Sequence, residues 1–129
     1  MVIQTRMMKP KILIVDDSPE NLQVLLHLLK KDYAIIAATT GEKALRLAAK
    51  DPVPDLILLD VVMPKMNGYE VYAQLKAQPQ TEAIPTIFLT ALSEIDRQAK
   101  ELALGAIDYI TKPVDPHKLK AQIERHLNK

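Results

Sequence analysis

The 129-residue sequence has no cysteine, no tryptophan, one phenylalanine and only three glycines. Without cysteine it can build neither a disulfide framework nor a thiolate metal cluster, which suits a reducing compartment without fixing one. Neither sign of charge dominates: 17 Lys and Arg stand against 16 Asp and Glu, for a formal net charge of +1. Bulk electrostatics therefore gives no reason to expect direct nucleic-acid binding or an anionic membrane. Apolar runs such as Leu56–Leu59 are far shorter than the roughly 20 residues that cross a bilayer. The start of the chain, Met1–Lys9, lacks a continuous apolar stretch followed by a small-residue cleavage site, so it does not read as a signal peptide. No repeat, low-complexity tract or Gly/Ser linker divides the rest of the chain. The expectation is a short flexible extension over residues 1–9, one domain over residues 10–129, and a cytoplasmic setting, with function left to local sites.

Strands and helices alternate along the chain. Ile12–Val15 is a short, β-branched apolar run and reads as a strand buried on both faces. Ser18 offers a helix N-cap, Pro19 suits the first turn, and Leu22, Leu25, Leu26 and Leu29 recur at helical spacing. The pair repeats as a strand over Tyr33–Thr39 and a helix over Thr40–Lys50 striped by Ala44, Leu45, Leu47 and Ala48. Leu56–Leu59 is the most clearly buried strand and delivers Asp60 at its end. A loop over Val61–Gly68, with Pro64 and Asn67-Gly68, leads to a helix carrying Tyr69, Tyr72 and Leu75. Pro85–Ala91 reads as the fourth strand, Ser93–Leu104 as a helix ended by Gly105, Ala106–Thr111 as the fifth strand, and Asp115–Leu127 as the last helix. Such alternation implies an α/β fold: a doubly wound, five-stranded parallel sheet with right-handed crossovers. The flavodoxin-like strand order 2-1-3-4-5 opens a crevice outside the carboxyl ends of strands one and three. Those ends carry Asp16, Asp17 and Asp60.

Three convergent carboxylates repel one another unless a cation shares the site or some are protonated. A hard divalent ion such as Mg²⁺ takes oxygen ligands, binds one or two carboxylates and retains waters, which leaves room for a phosphate oxygen. A carboxylate so placed can act as a nucleophile toward phosphorus. Thr90 ends the fourth strand with a hydroxyl donor and Lys112 ends the fifth with a compact positive charge, supplying the groups that a transferred phosphoryl needs around its oxygens.

Asp16-Asp17 after strand one, Leu58-Leu59-Asp60 followed by Val61 to Gly68, Thr90-Ala91 and Lys112-Pro113 together resemble the receiver domains of response regulators. Each motif is common alone; their order at the ends of strands one, three, four and five is specific. The resemblance spans about Lys11 to Leu127. It implies Asp60 as phosphoacceptor from a histidine kinase or phosphotransfer protein, Asp17 as a direct Mg²⁺ ligand, Asp16 as a ligand chiefly through water, and the Val62 backbone carbonyl as a further ligand. It implies that Thr90 bonds the phosphoryl group, that Lys112 pairs with it, and that Tyr109 is a switch aromatic which swings inward as Thr90 moves. It also implies a cis Lys112-Pro113 peptide. Homodimerisation would use the face made by Ser93–Leu104, the fifth strand and the last helix. The domain would be a switch rather than a turnover enzyme, catalysing only its own phosphorylation and dephosphorylation. Val62 and Leu92 are apolar where a polar side chain could orient water, so slow self-dephosphorylation is expected. Val114 stands where the family often has an aromatic.

Plainer readings exist for single residues. Tyr109 alone reads as a half-buried core aromatic, Lys112 as a solvated lysine, and Asp16-Asp17 as a polar turn; only their joint placement favours a site. His27, His117 and His126 read as surface residues, and Met63 and Met66 as either partner contacts or loop packing. A haloacid-dehalogenase-type phosphohydrolase would carry its nucleophile after strand one, and a flavin carrier would need a Gly- and hydroxyl-rich loop where Asp16-Asp17-Ser18-Pro19 stands. A binding-only receiver, and a receiver module belonging to a larger protein such as a nucleotide-signalling enzyme, remain as alternatives.

Overall fold

The computed structural model describes residues 9–91 and 108–127. Strands β1 (Lys11–Val15), β2 (Ala34–Ala38), β3 (Leu56–Asp60), β4 (Thr86–Ala91) and β5 (Asp108–Lys112) form one sheet in the order β2-β1-β3-β4-β5, with every pair parallel. This is the expected flavodoxin-like order. The described helices are α1 (Pro19–Leu29), α2 (Gly41–Ala49), α3 (Gly68–Lys76) and α4 (Pro116–Leu127). The helix expected over Ser93–Leu104, the position of Leu92 and residues 1–8 of the N-terminal extension lie outside the described residues.

Strand alternation sorts the apolar side chains onto two faces. Leu13, Val15, Ile57, Leu59 and Phe88 pack beneath α2 and α3 with Ala44, Ala48, Val71 and Leu75. Ile12, Ile14, Leu56, Leu58, Ile87, Leu89 and Ile110 pack against Leu25 and Leu29 of α1 and Leu119 and Ile123 of α4. The central strand β3 is buried along its whole length, and each fully buried Leu or Ile contributes about 1.5–3 kcal/mol of transfer free energy. These strands are continuous apolar runs because both of their faces are covered.

The helix starts follow their caps. Ser18 Oγ accepts from Asn21 N at 3.3 Å and Thr40 Oγ1 accepts from Lys43 N at 3.1 Å, satisfying donors that have no intrahelical partner. The Asn67-Gly68 pair, expected inside a loop, instead opens α3. Asn67 Oδ1 accepts from Glu70 N and Glu70 Oε1 accepts from Asn67 N, each at 2.9 Å, which is a reciprocal capping box. Lys112-Pro113 is cis as the resemblance implies, and Asp51-Pro52 is cis as well. No helix among the described residues is long and apolar enough to cross a membrane.

Candidate active site

Burial of β1 and β3 on both faces leaves their carboxyl ends as the first places where polar side chains can emerge. There, oxygens of Asp16, Asp17 and Asp60 lie within 4.8 Å of one another. Asp16 and Asp60 are buried and Asp17 is exposed. Asp16 is anchored by the protein itself: Oδ1 accepts from Ser18 N at 2.9 Å, and Oδ2 accepts from Asn21 Nδ2 at 3.3 Å. Lys112 Nζ reaches across from β5, 2.9 Å from Asp60 Oδ1 and 3.4 Å from Asp16 Oδ2.

Charge in this crevice does not balance. Burial pushes the Asp60 carboxyl above the usual Asp range; the hydrogen bond from Lys112 pulls it back, while Asp16 and Asp17 add to the rise. Lys112 loses from burial but gains more from Asp60 and Asp16, and its ammonium is held on above the ordinary lysine value. Three carboxylates against one ammonium, with an all-oxygen donor set, fit a hard divalent cation such as Mg²⁺.

A close approach of backbone fixes the loop that leaves Asp60. Gly68 N donates to Val61 O at 2.8 Å, and a Cβ on Gly68 would sit 2.3 Å from the Asp60 carbonyl oxygen and 2.9 Å from Val61 Cα. Only glycine lets the first turn of α3 press against the backbone of Asp60. Val62, two residues beyond Asp60 on this loop, is 60% exposed.

Thr90 is buried near the end of β4, one residue past the strand partner of Asp60, and its Oγ1 donates to Ala91 O at 3.4 Å. Tyr109 stacks near Phe88 with ring centroids 6.0 Å apart. Its hydroxyl is buried without a hydrogen-bond partner among the described residues, and burial raises its pKa. The structure therefore brings Asp16, Asp17, Asp60 and Lys112 together, with Thr90 on the neighbouring strand and Tyr109 three residues before Lys112.

A sequence model of the response regulator receiver domain matches residues 12–124. The chain belongs to that family. Among relatives of this receiver, a probable cyclic di-GMP phosphodiesterase from Vibrio cholerae is 48% identical over 116 residues, covering 90% of this chain and 26% of that protein. The response regulator PleD from Caulobacter vibrioides is 41% identical over 117 residues, again 90% of this chain and 26% of that one. The receiver thus spans about a quarter of the length of these curated relatives. The receiver domain of a sensor histidine kinase from Pseudomonas aeruginosa, solved with a magnesium ion coordinated in its active-site cleft, superposes with a TM-score of 0.84 at 29% identity, covering 94% of this chain and 99% of that one.

One cluster outside the crevice escaped the sequence reading. His126, expected at the surface, has a side chain only 8% exposed, with Nε2 3.1 Å from Asp108 Oδ2. Arg125 Nη2 donates to the same oxygen, Asp108 Oδ1 accepts from Tyr109 N at 2.9 Å, and Gln122 Nε2 donates to Tyr109 O at 3.2 Å. Burial pushes Asp108 up, but His126, the Tyr109 amide, Arg125 and Gln122 together bring its carboxyl below the ordinary value. The partners are 17 and 18 residues apart in sequence, and nothing in helical or strand periodicity pairs them.

Proposed function

We propose that this receiver accepts a phosphoryl group on Asp60 from a phosphohistidine of a partner kinase or phosphotransfer protein. The observation that carries the reading is the convergence of Asp16, Asp17 and Asp60 with Lys112 set 2.9 Å from Asp60 Oδ1. A carboxylate oxygen of Asp60 attacks phosphorus; the P–O bond forms as the P–N bond to the donor imidazole breaks, and the donor leaves with its electron pair. Lys112 then exchanges its contact with Asp60 for a phosphoryl oxygen, and the Thr90 hydroxyl donates to another. Asp17, Asp60, the Val62 carbonyl and, through water, Asp16 would hold Mg²⁺, which when bound neutralises charge on the phosphoryl oxygens. The commitment of Asp16 Oδ1 and Oδ2 to Ser18, Asn21 and Lys112 supports its water-mediated role, and the exposure of Asp17 supports direct ligation.

Phosphorylation biases a two-state equilibrium in which Tyr109 moves with Thr90. The face that includes β5 and α4 serves a homodimer or another partner, in a cytoplasmic setting; the helix expected over Ser93–Leu104 as part of it lies outside the described residues. Apolar Val62 and Leu92 leave water unoriented, so the acyl phosphate outlasts the seconds range. The 26% share of the relatives' length favours one addition: the receiver is a module of a larger signalling protein, of which a nucleotide-signalling enzyme is one form.

Incubation with acetyl phosphate, followed by intact mass, tests the reading. A gain of one phosphoryl group that requires Mg²⁺ and disappears in Asp60→Ala is the expected result. No gain in a wild-type chain that binds Mg²⁺ makes this a binding-only receiver.

A further inference from the structure

The loop between Asp60 and α3 holds two methionines in different settings. Met63 is buried, 7% exposed. Met66 is half-buried at the edge of the core under α2 and α3. One side of its sulfur is packed against Gly41 at the start of α2: a Cβ on Gly41 would lie 2.9 Å from Met66 Sδ and 2.8 Å from Val71 Cγ2. Toward the sulfur points the side-chain amide of Gln74, an exposed residue of α3, with Nε2 4.0 Å from Sδ. A thioether is a weak acceptor, and at this distance the contact is slight. A sulfoxide oxygen on that side would stand one bond nearer to Nε2 and accept strongly. In a chain without cysteine, two-electron oxidation by peroxide falls to methionine.

We propose that Met66 is a peroxide-oxidisable site whose sulfoxide is seated by Gln74, and that its oxidation slows phosphorylation of Asp60; the second half rests on the phosphoacceptor reading above. A sulfur lone pair attacks one oxygen of hydrogen peroxide. The S–O bond forms as the O–O bond breaks, sulfur is oxidised by two electrons, and the peroxide is reduced to water. Packing against Gly41 blocks one sulfur lone pair, so a single sulfoxide epimer forms. The new dipole draws Met66 away from Gly41 and Val71. Met66 and Asn67 sit in the loop that carries Val62 and ends at Gly68, against the Asp60 carbonyl, so that loop shifts with it.

The test exposes the purified protein to hydrogen peroxide, maps each methionine by peptide mass, and measures phosphoryl incorporation from acetyl phosphate with Mg²⁺ before and after. Oxidation of Met66 is expected about fivefold or more faster than that of Met63, with reversal by only one of the two epimer-specific methionine sulfoxide reductases. Incorporation should fall about threefold or more in the oxidised chain, while Met66→Leu keeps its rate through the same treatment. Gln74→Ala should leave Met66 oxidisable and lower the oxidised chain's melting temperature further than it lowers that of the reduced chain. Equal rates at Met63 and Met66, or an even mixture of epimers, would overturn the site. An oxidised chain that phosphorylates at the reduced rate would overturn the regulatory half. If the reduced chain takes up no phosphoryl group, the phosphoacceptor reading fails, and the peptide map still decides the oxidation site.

Discussion

Strand β5 carries a charge cluster at each end, and the two are balanced in opposite ways. At its carboxyl end Lys112 faces Asp60 and Asp16, with Asp17 alongside: three carboxylates share one ammonium. At its amino end Asp108 receives Arg125, His126 and a backbone amide. Burial pushes both Asp60 and Asp108 upward, but only at Asp108 do the partners outweigh it. A cluster with more donors than its charge requires is a fastening, here of β5 to α4. A cluster short of positive charge leaves carboxylate oxygens that fit a cation from outside.

That contrast can be broken in order of expected effect. Lys112→Ala should slow phosphorylation of Asp60 by acetyl phosphate about 100-fold, the scale for losing one preorganised donor on developing charge; an unchanged rate would show that the ammonium serves only to hold Asp60. Gly68→Ala should cost about 1–3 kcal/mol in denaturant unfolding, because the atoms in the way are backbone and cannot rotate aside. In metal-free buffer at neutral pH, Asp60→Ala should raise stability by about 1 kcal/mol through relief of like-charge repulsion, and weaken Mg²⁺ binding by calorimetry. A loss of stability with Mg²⁺ affinity intact would end the parallel drawn between excess charge and cation binding.

At the opposite end, Asp108→Asn should cost about 1 kcal/mol at neutral pH, since Arg125 is 62% exposed and its pairing is screened. The Asp108 carboxyl titrates below its unfolded value, so its stabilisation is complete above about pH 4 and disappears as pH falls through the folded value. Wild type and variant should therefore converge in acid unfolding curves, and a gap that persists at low pH would show that shape rather than charge holds the two elements together.

The sheet order and the crevice were legible because both rest on strong local signals. Ile12–Val15 and Leu56–Leu59 are apolar on consecutive positions, which only a two-sided burial rewards, and the acidic residues begin where that burial stops. Ser18 and Thr40 announced their helices by their own hydroxyls. Asn67 did so too, through Glu70 three residues on, but the Asn-Gly pair also spells a turn, and the competing signal prevailed. His126 was missed for a different reason. It stands three residues after Ile123 and seven after Leu119, on the buried stripe of α4, so helical spacing alone could have placed it inside. Its polar side chain was read as surface, and only its partner Asp108 lies on a strand that no sequence period links to it. Met66 was left between a partner contact and loop packing; its sulfur lies against Gly41 of α2 and 4.0 Å from Gln74 Nε2 of α3, contacts across elements that no local spacing announces.

The place of β5 in the sheet sets the order in which the molecule can come apart. Asp60 lies on β3, whose hydrogen bonds run to β1 on one side and β4 on the other. Lys112 and Tyr109 lie on β5, which pairs with β4 alone. Opening β5 breaks one ladder, and opening β3 breaks two, so amide hydrogens of β5 should exchange with solvent through smaller local openings than those of β3. The strand bearing the lysine and the tyrosine is thus held by one ladder and by its bonds to α4, while the aspartate it faces lies on a strand paired on both sides.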